Sequence, residues 1–256
     1  MFRPRVIPIL LLKGPGLVKS IKFKDYRYVG DPINAVKIFN DLRADELVFL
    51  DITASREKRC ISLDFVRNVG EEANMPFAVG GGIRNINEIR QIIGAGAEKV
   101  ILNTSAAENP EFVKAASGEF GSSTIVVSID VKKNMFGKEL TYIYSGKKAT
   151  KYDPVSFACL IEYMGAGEII INSIAKDGMM QGYDISLIRR VSEAVKIPVV
   201  ALGGAADNND LRSAVVEGYA SAVAAGSMFV FHGQRKGVLI NYPEKETLNQ
   251  LFKNIS

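Results

Sequence analysis

The sequence predicts an α/β fold, a closed (β/α)8 (TIM) barrel built as one domain over residues 1–256, and three observations point to it. Eight short apolar runs rich in β-branched residues alternate with amphipathic stretches, at 5–12, 46–52, 76–80, 99–103, 124–131, 168–173, 198–202 and 220–225. Each run is apolar throughout, the pattern of strands covered on both faces. The chain also repeats itself: Pro76, Gly81, Gly82, Asn87, Arg90, Gly96 and Ser105 return as Pro198, Gly203, Gly204, Asn209, Arg212, Gly218 and Ser227, always 122 residues later. Two four-stranded halves make a closed eight-stranded barrel, which sets aside the rival doubly wound open sheet. A length of 256 residues is that of a single such barrel.

The elements follow in order. Arg3-Pro4-Arg5 leads into the apolar run Val6–Leu12, a start that superficially resembles a secretory signal. No small-residue cleavage site follows, so a first buried strand is expected. Asp31-Pro32, Asn109-Pro110 and Asp153-Pro154 each offer a capping side chain followed by proline at the first helical position. Asn85, with Glu88 three residues on, and Asp184 open two more helices. Residues 132–151, with Asn134, Gly137, Ser145 and Gly146, read as a β-hairpin over the barrel mouth, without an assigned role. Cys60 and Cys159 stand in apolar helical contexts far from His232, the single histidine, and are expected to be buried filler in a reduced, cytoplasmic protein. With no His/Cys cluster and no dinucleotide fingerprint, neither a metal nor a redox cofactor is expected. The net charge of +4, much of it in Lys13, Lys19, Lys22, Lys24 and Arg27, is too mild and too local for a nucleic-acid footprint. No apolar run reaches ~18 residues, so neither a membrane span nor a membrane partner is expected. The basic first loop suits an anionic small molecule.

Functional side chains in such barrels stand at the carboxyl ends of the strands. The third strand ends in Gly80-Gly81-Gly82 and the seventh in Gly203-Gly204; the fourth ends in Asn103-Thr104-Ser105 and the eighth in Gly226-Ser227. Glycines there let backbone N–H groups approach an anion, and Thr104 and Ser227 add hydroxyl donors. The half-barrel repeat sets two such cradles on opposite sides of the mouth, as a ligand with a phosphate at each end requires. The alternative is that these glycines only make tight turns. At the other end, Arg5, Glu46, Lys99 and Glu168 open strands one, two, four and six. Two cations and two anions at one level form either a salt-bridged gate or an inert plug sealing the barrel floor. Buried ion pairs stabilise weakly against apolar packing, which favours a role besides stability.

Val79-Gly80-Gly81-Gly82-Ile83-Arg84, the run Asp45–Ser55, Lys176-Asp177-Gly178 and Gly182-Tyr183-Asp184 resemble the cyclase subunit of imidazole glycerol phosphate synthase over nearly the whole chain. The resemblance implies a glutaminase subunit as partner, with ammonia passing along the barrel axis to a phosphorylated ligand at the mouth. It also implies phosphate contacts from Gly82, Asn103, Thr104, Asp177, Gly178, Gly203, Gly204, Gly226 and Ser227. Arg5, Glu46, Lys99 and Glu168 match the family's charged gate, and Glu98 matches an acidic glutaminase-docking position. Family cyclases use two strand-end aspartates as acid and base. Asp130 matches the one on strand five and Lys19 the lysine of the first loop, but Leu11 stands where the strand-one aspartate belongs. Losing a positioned acid or base costs about 10²–10⁴-fold in rate. Asp130 is either catalytic or a carboxylate paired with Lys132 or Lys19.

A retained gate with a broken acid–base pair resembles the paralogue of surface-polysaccharide loci, a resemblance shared by Leu10–Gly14 and Tyr28–Val36. That resemblance implies an ammonia-conducting subunit that serves a third protein, an amidotransferase making an acetamidino sugar from an acetamido one. The alternatives are an ordinary histidine-pathway cyclase, a non-catalytic glutaminase activator, and the related ribosyl-carbaldimine isomerase, which the same leucine weakens.

Overall fold

The computed structural model describes residues 3–233, 235–253 and 255. Its core is a ring of eight parallel strands: β1 (Arg5–Lys13), β2 (Leu47–Asp51), β3 (Phe77–Gly80), β4 (Lys99–Leu102), β5 (Ile125–Lys133), β6 (Glu168–Ser173), β7 (Val199–Leu202) and β8 (Ala222–Ala225). Each pairs with the next, and β8 returns to β1 through Arg5 opposite Ala222, so no edge remains. Around the ring run α1 (Pro32–Asp41), α2 (Leu63–Glu72), α3 (Ile86–Gly94), α4 (Thr104–Glu108), α5 (Pro110–Phe120), α6 (Pro154–Tyr163), α7 (Ile185–Ala194), α8 (Asn208–Val216) and α9 (Lys245–Leu251). Among the described residues no helix is long and apolar enough to cross a membrane.

Strand alternation divides the apolar side chains into two cores. Leu10, Leu47, Phe49, Val100, Val127 and Ile129 face outward and are sealed beneath the helices. Ile7, Val48, Ala78, Ile101, Val126 and Ile170 face inward and fill the barrel axis. Four of the expected caps form: Asp31 accepts from the Asn34 amide, Asn85 from Glu88, Asp153 from Ser156 and Asp184 from Leu187. Asn109 departs from expectation. A short helix, α4, ends one residue before it, its amide is already held by the Ser105 carbonyl, and its side chain caps nothing. The two cysteines also depart from full burial: Cys60 is half-buried, packed against the core, while Cys159 is exposed on α6.

The repeat is geometric as well as sequential. Gly81 and Gly82, and their counterparts Gly203 and Gly204, all have positive φ, so both halves make the same left-handed exit from a strand. The insertions differ between halves. After β1 the chain forms an antiparallel meander, Gly16–Ile21 and Lys24–Gly30, where the basic composition suggested a loop. After β5, Glu139–Ile143 turns back on β5 and Lys148–Ala149 adds a third short strand, the expected hairpin. Its far arm crosses the mouth. Ser145 donates to the Ile52 carbonyl at 2.6 Å, and the Tyr144 amide reaches the Thr104 hydroxyl at 3.2 Å.

Candidate functional site

The carboxyl ends of the strands enclose a cavity of about 870 Å³ between the meander and the hairpin. Asp130, on β5, is 8% exposed at its base. The Asn172 side-chain amide donates to one of its oxygens at 2.9 Å, and that of Asn103 lies 3.4 Å from the other. Asp130 therefore pairs with two amides and with neither Lys132 nor Lys19, because inward positions on β4 and β6 flank it while Lys132 points to solvent. Burial pushes its carboxyl up to about 7, against the stabilising Asn172 bond.

Lys19 sits in the first strand of the meander, 4% exposed, and its ammonium donates to the Ile9 carbonyl. Burial lowers it to about 7, partly offset by the Asp177 carboxylate. Asp177 accepts from the Ser20 hydroxyl at 2.9 Å and faces the Phe23 amide at 3.4 Å. Its carboxylate is engaged in pinning the meander over the mouth. Burial raises its pKa too.

Leu11 faces the cavity, with Leu50 beside it in register and Leu202 on the same apolar wall. Of the other carboxylates lining the cavity, Asp177 is held by Ser20 and Glu108 by Tyr144, and Asp51 is committed as well. It accepts from the Thr53 and Ala54 amides, at 3.0 and 3.1 Å, and from Arg59. Among the described residues, none of these carboxylates takes up the position opposite Asp130 that Leu11 leaves apolar, since each is engaged elsewhere. Sequence reasoning found Leu11 but missed Leu50, Leu202 and Asn172. Their inward direction is a property of barrel register, and the 122-residue repeat pairs Asn172 with Leu50, so the repeat gives it no polar counterpart.

The two titrating groups give opposite pH slopes. Between 3.8, the ordinary aspartate value, and about 7, the folded chain holds a proton on Asp130 that the unfolded chain has lost, so stability falls as pH rises. Between about 7 and 10.5 the unfolded chain holds a proton that folded Lys19 has lost, so stability rises. Asp130→Asn is therefore expected to flatten the acid limb and exceed the native protein in Tm at pH 7 and above. Lys19→Met should flatten the alkaline limb. Tm measured from pH 4 to 10 checks both, and an unchanged profile in either variant refutes its assignment.

The glycines of the mouth are required by contact. A side chain at Gly82 would lie 1.9 Å from the Arg59 carbonyl, and at Gly204 2.3 Å from that of Gly182. Gly203 abuts the Asn172 amide oxygen, and Gly226 lies beside the Lys19 ammonium. This last contact places a cation directly at the β8 cradle, next to Ser227. On the opposite side the Thr104 hydroxyl lies 3.3 Å from the Asn103 amide oxygen and beneath the hairpin arm. The two groups of glycines line one cavity from opposite sides.

At the amino end of the barrel, Arg5, Glu46, Lys99 and Glu168 meet in a closed, alternating ring. Arg5 bonds both glutamates; Lys99 lies 3.3 Å from Glu46 and 2.9 Å from Glu168. Both glutamates are buried, at 4% and 6% exposure. Above the ring the axis is lined mainly by apolar side chains, with the buried Ser128 one step below Asp130 on β5. Glu98, next to Lys99, is exposed on the same face as the ring.

Residues 5–235 match the family described as "Histidine biosynthesis protein". The chain is 41% identical over 253 residues to a Leptospira interrogans protein provisionally named imidazole glycerol phosphate synthase subunit HisF, covering 98% of this chain and all of the relative. It is 43% identical over 249 residues to the Pseudomonas aeruginosa protein provisionally named imidazole glycerol phosphate synthase subunit hisF2, covering 97% and 99% of the two chains. The "Imidazole glycerol phosphate synthase subunit HisF" of Alkaliphilus metalliredigens is 42% identical over 232 residues, or 91% of this chain and 92% of that one. A closed barrel with duplicated halves, matched over almost its full length by these proteins, belongs to the histidine biosynthesis protein family and is HisF-like.

Proposed function

We propose that this chain is the ammonia-receiving barrel of a glutamine-dependent synthase, and that it conducts ammonia without closing an imidazole ring. A glutaminase subunit docks on the face that carries Glu98 and the charged ring. Ammonia then passes the ring, follows the mainly apolar axis and leaves at the mouth. The single observation that carries this reading is Leu11, facing the cavity opposite Asp130 where acid–base ring closure needs a second proton-transfer group. Asp130 and Lys19, both near 7, remain poised to move one proton between them and a ligand, but a single acid–base partner at Asp130 does not complete the paired chemistry. The acceptor that fits this division of labour is an acetamido sugar, amidated to an acetamidino sugar by a third protein.

The test uses the purified chain with its glutaminase. Glutamine hydrolysis is expected to rise when the chain is added, while the bisphosphorylated ribonucleotide of histidine synthesis stays unconverted. Efficient cyclisation by the pair would overturn the reading and return the chain to the histidine-pathway cyclases. That second reading has one observation in its favour: glycine-rich strand ends border both sides of the mouth, and conduction alone does not need them.

A further inference from the structure

The tip of the β5 hairpin belongs neither to the cavity lining nor to the floor ring. Residues 132–151 contain six lysines and one glutamate, and that glutamate, Glu139, is taken up by Arg190. At the tip Met135 is 96% exposed and Phe136 90%, the two most exposed large apolar side chains among the described residues. The tip is ordered all the same. The Asn134 side-chain oxygen accepts from the Phe136 and Lys138 amides at 2.9 and 3.0 Å, its own amide bonds the Lys138 carbonyl at 2.8 Å, and Gly137 takes the positive φ that the turn needs. A hydrogen-bonded turn that presents two apolar side chains to water gains nothing from burial within its own chain.

Lys133 and Lys138 flank the tip, and Lys22 and Lys24 stand on the meander at the same end of the barrel; none of them has a carboxylate partner among the described residues. The far arm of the same hairpin roofs the cavity through Ser145 and Tyr144, so the tip is continuous with the ammonia exit. Ammonia reaching open water at neutral pH becomes ammonium and loses its nucleophilic lone pair. An exit that delivers ammonia to an acceptor outside the barrel therefore has to be covered by the protein that holds the acceptor.

We infer that the hairpin tip and the basic rim of the mouth are the docking surface for that acceptor-carrying protein. The partner's stated chemistry is an acidic rim around an apolar socket that takes Met135 and Phe136. Unpaired cations on this side select an acidic face, and two exposed anchors of this size are the kind of side chain that dominates an interface once desolvated. The inference rests on the proposed ammonia transfer and names its partner surface.

The experiment places a photo-crosslinking amino acid at position 136 in the full chain, in its native cells and with its glutaminase present. The crosslinked species is identified by mass spectrometry, then purified and titrated against the glutaminase complex. Phe136→Asp, and separately Lys132→Glu with Lys133→Glu and Lys138→Glu, are compared with the native chain; none of these positions belongs to the cavity lining or the floor ring. The expected result is one acidic protein, distinct from both subunits, whose Kd rises at least tenfold in each variant and with added salt, while glutaminase stimulation is unchanged. Crosslinks to phospholipid, with binding to vesicles containing anionic lipid, would replace this partner with a membrane surface and overturn the inference. So would equal affinity for native chain and variants, or no crosslink at all. If the partner docks as expected while the nucleotide is nevertheless cyclised, the proposed function fails and the docking surface stands.

Discussion

Lys99→Ala is expected to uncouple the glutaminase from ammonia transfer and to cost about 3–5 kcal/mol of stability, the usual effect of removing one member of a buried, hydrogen-bonded ion pair. Glu46 and Glu168 would be left buried and close together with only Arg5 between them. The loss lies in the uncompensated carboxylates more than in the lysine, since the ring closes only when two cations alternate with two anions. Three measurements separate its roles: urea unfolding for stability, glutamine hydrolysis for activation, and ammonia appearing in solution for leakage. A conducting gate predicts that hydrolysis continues while more ammonia escapes. If the variant only unfolds more easily and leaks no more than the native complex, the ring is a plug.

Gly178→Ala is expected to be, with Gly82→Ala, the most damaging single methyl addition in the mouth. The new carbon would lie 1.9 Å from the Ser20 carbonyl oxygen, in a backbone conformation of φ +69° that alanine rarely adopts. Strain and the displaced contact together amount to about 3 kcal/mol, or about 10 °C in Tm for a chain of this size. The damage also has an address. Ser20 anchors the meander to Asp177, so Lys19 would lose its seat beside Gly226, and anion binding at β8 should weaken along with stability. Inorganic phosphate titrated into native and variant protein reads the second effect. Gly94→Ala is the control: nothing lies within 4 Å of the added carbon on α3, and the change should be neutral or slightly stabilising. Equal Tm shifts at the two glycines would refute the close-contact account.

Much of this molecule was legible before any coordinate. Eight apolar runs and a 122-residue repeat specify a closed barrel because side chains covered on both faces leave little choice of architecture. The floor ring was legible for a similar reason: a charged residue that opens an otherwise apolar strand has to meet its opposite. Asp130 and Leu11 were legible as positions facing each other across the mouth because they end corresponding strands of the two halves.

The failures share one cause. The partners of Asp130, the anchoring role of Asp177, the apolar company of Leu11 and the exposure of Cys159 depend on which way each side chain faces and what the opposite element brings to it. Asn172 is an unremarkable letter at the end of an apolar run until barrel closure sets it 2.9 Å from a buried carboxylate. That Asp177 anchors the meander cannot be read from the Lys176-Asp177-Gly178 motif and follows only once Ser20 is laid on it. The sequence by itself determined the barrel, its duplicated halves and the charge pattern of its two ends, since these follow from composition and period along one strand at a time. Only the tertiary structure decided which carboxylates are free and which are engaged, how far burial moves Lys19 and Asp130 toward neutrality, and that an ordered hairpin holds two apolar side chains out in water. Each of these is set by desolvation and by contacts between segments far apart in the chain, which no local pattern encodes.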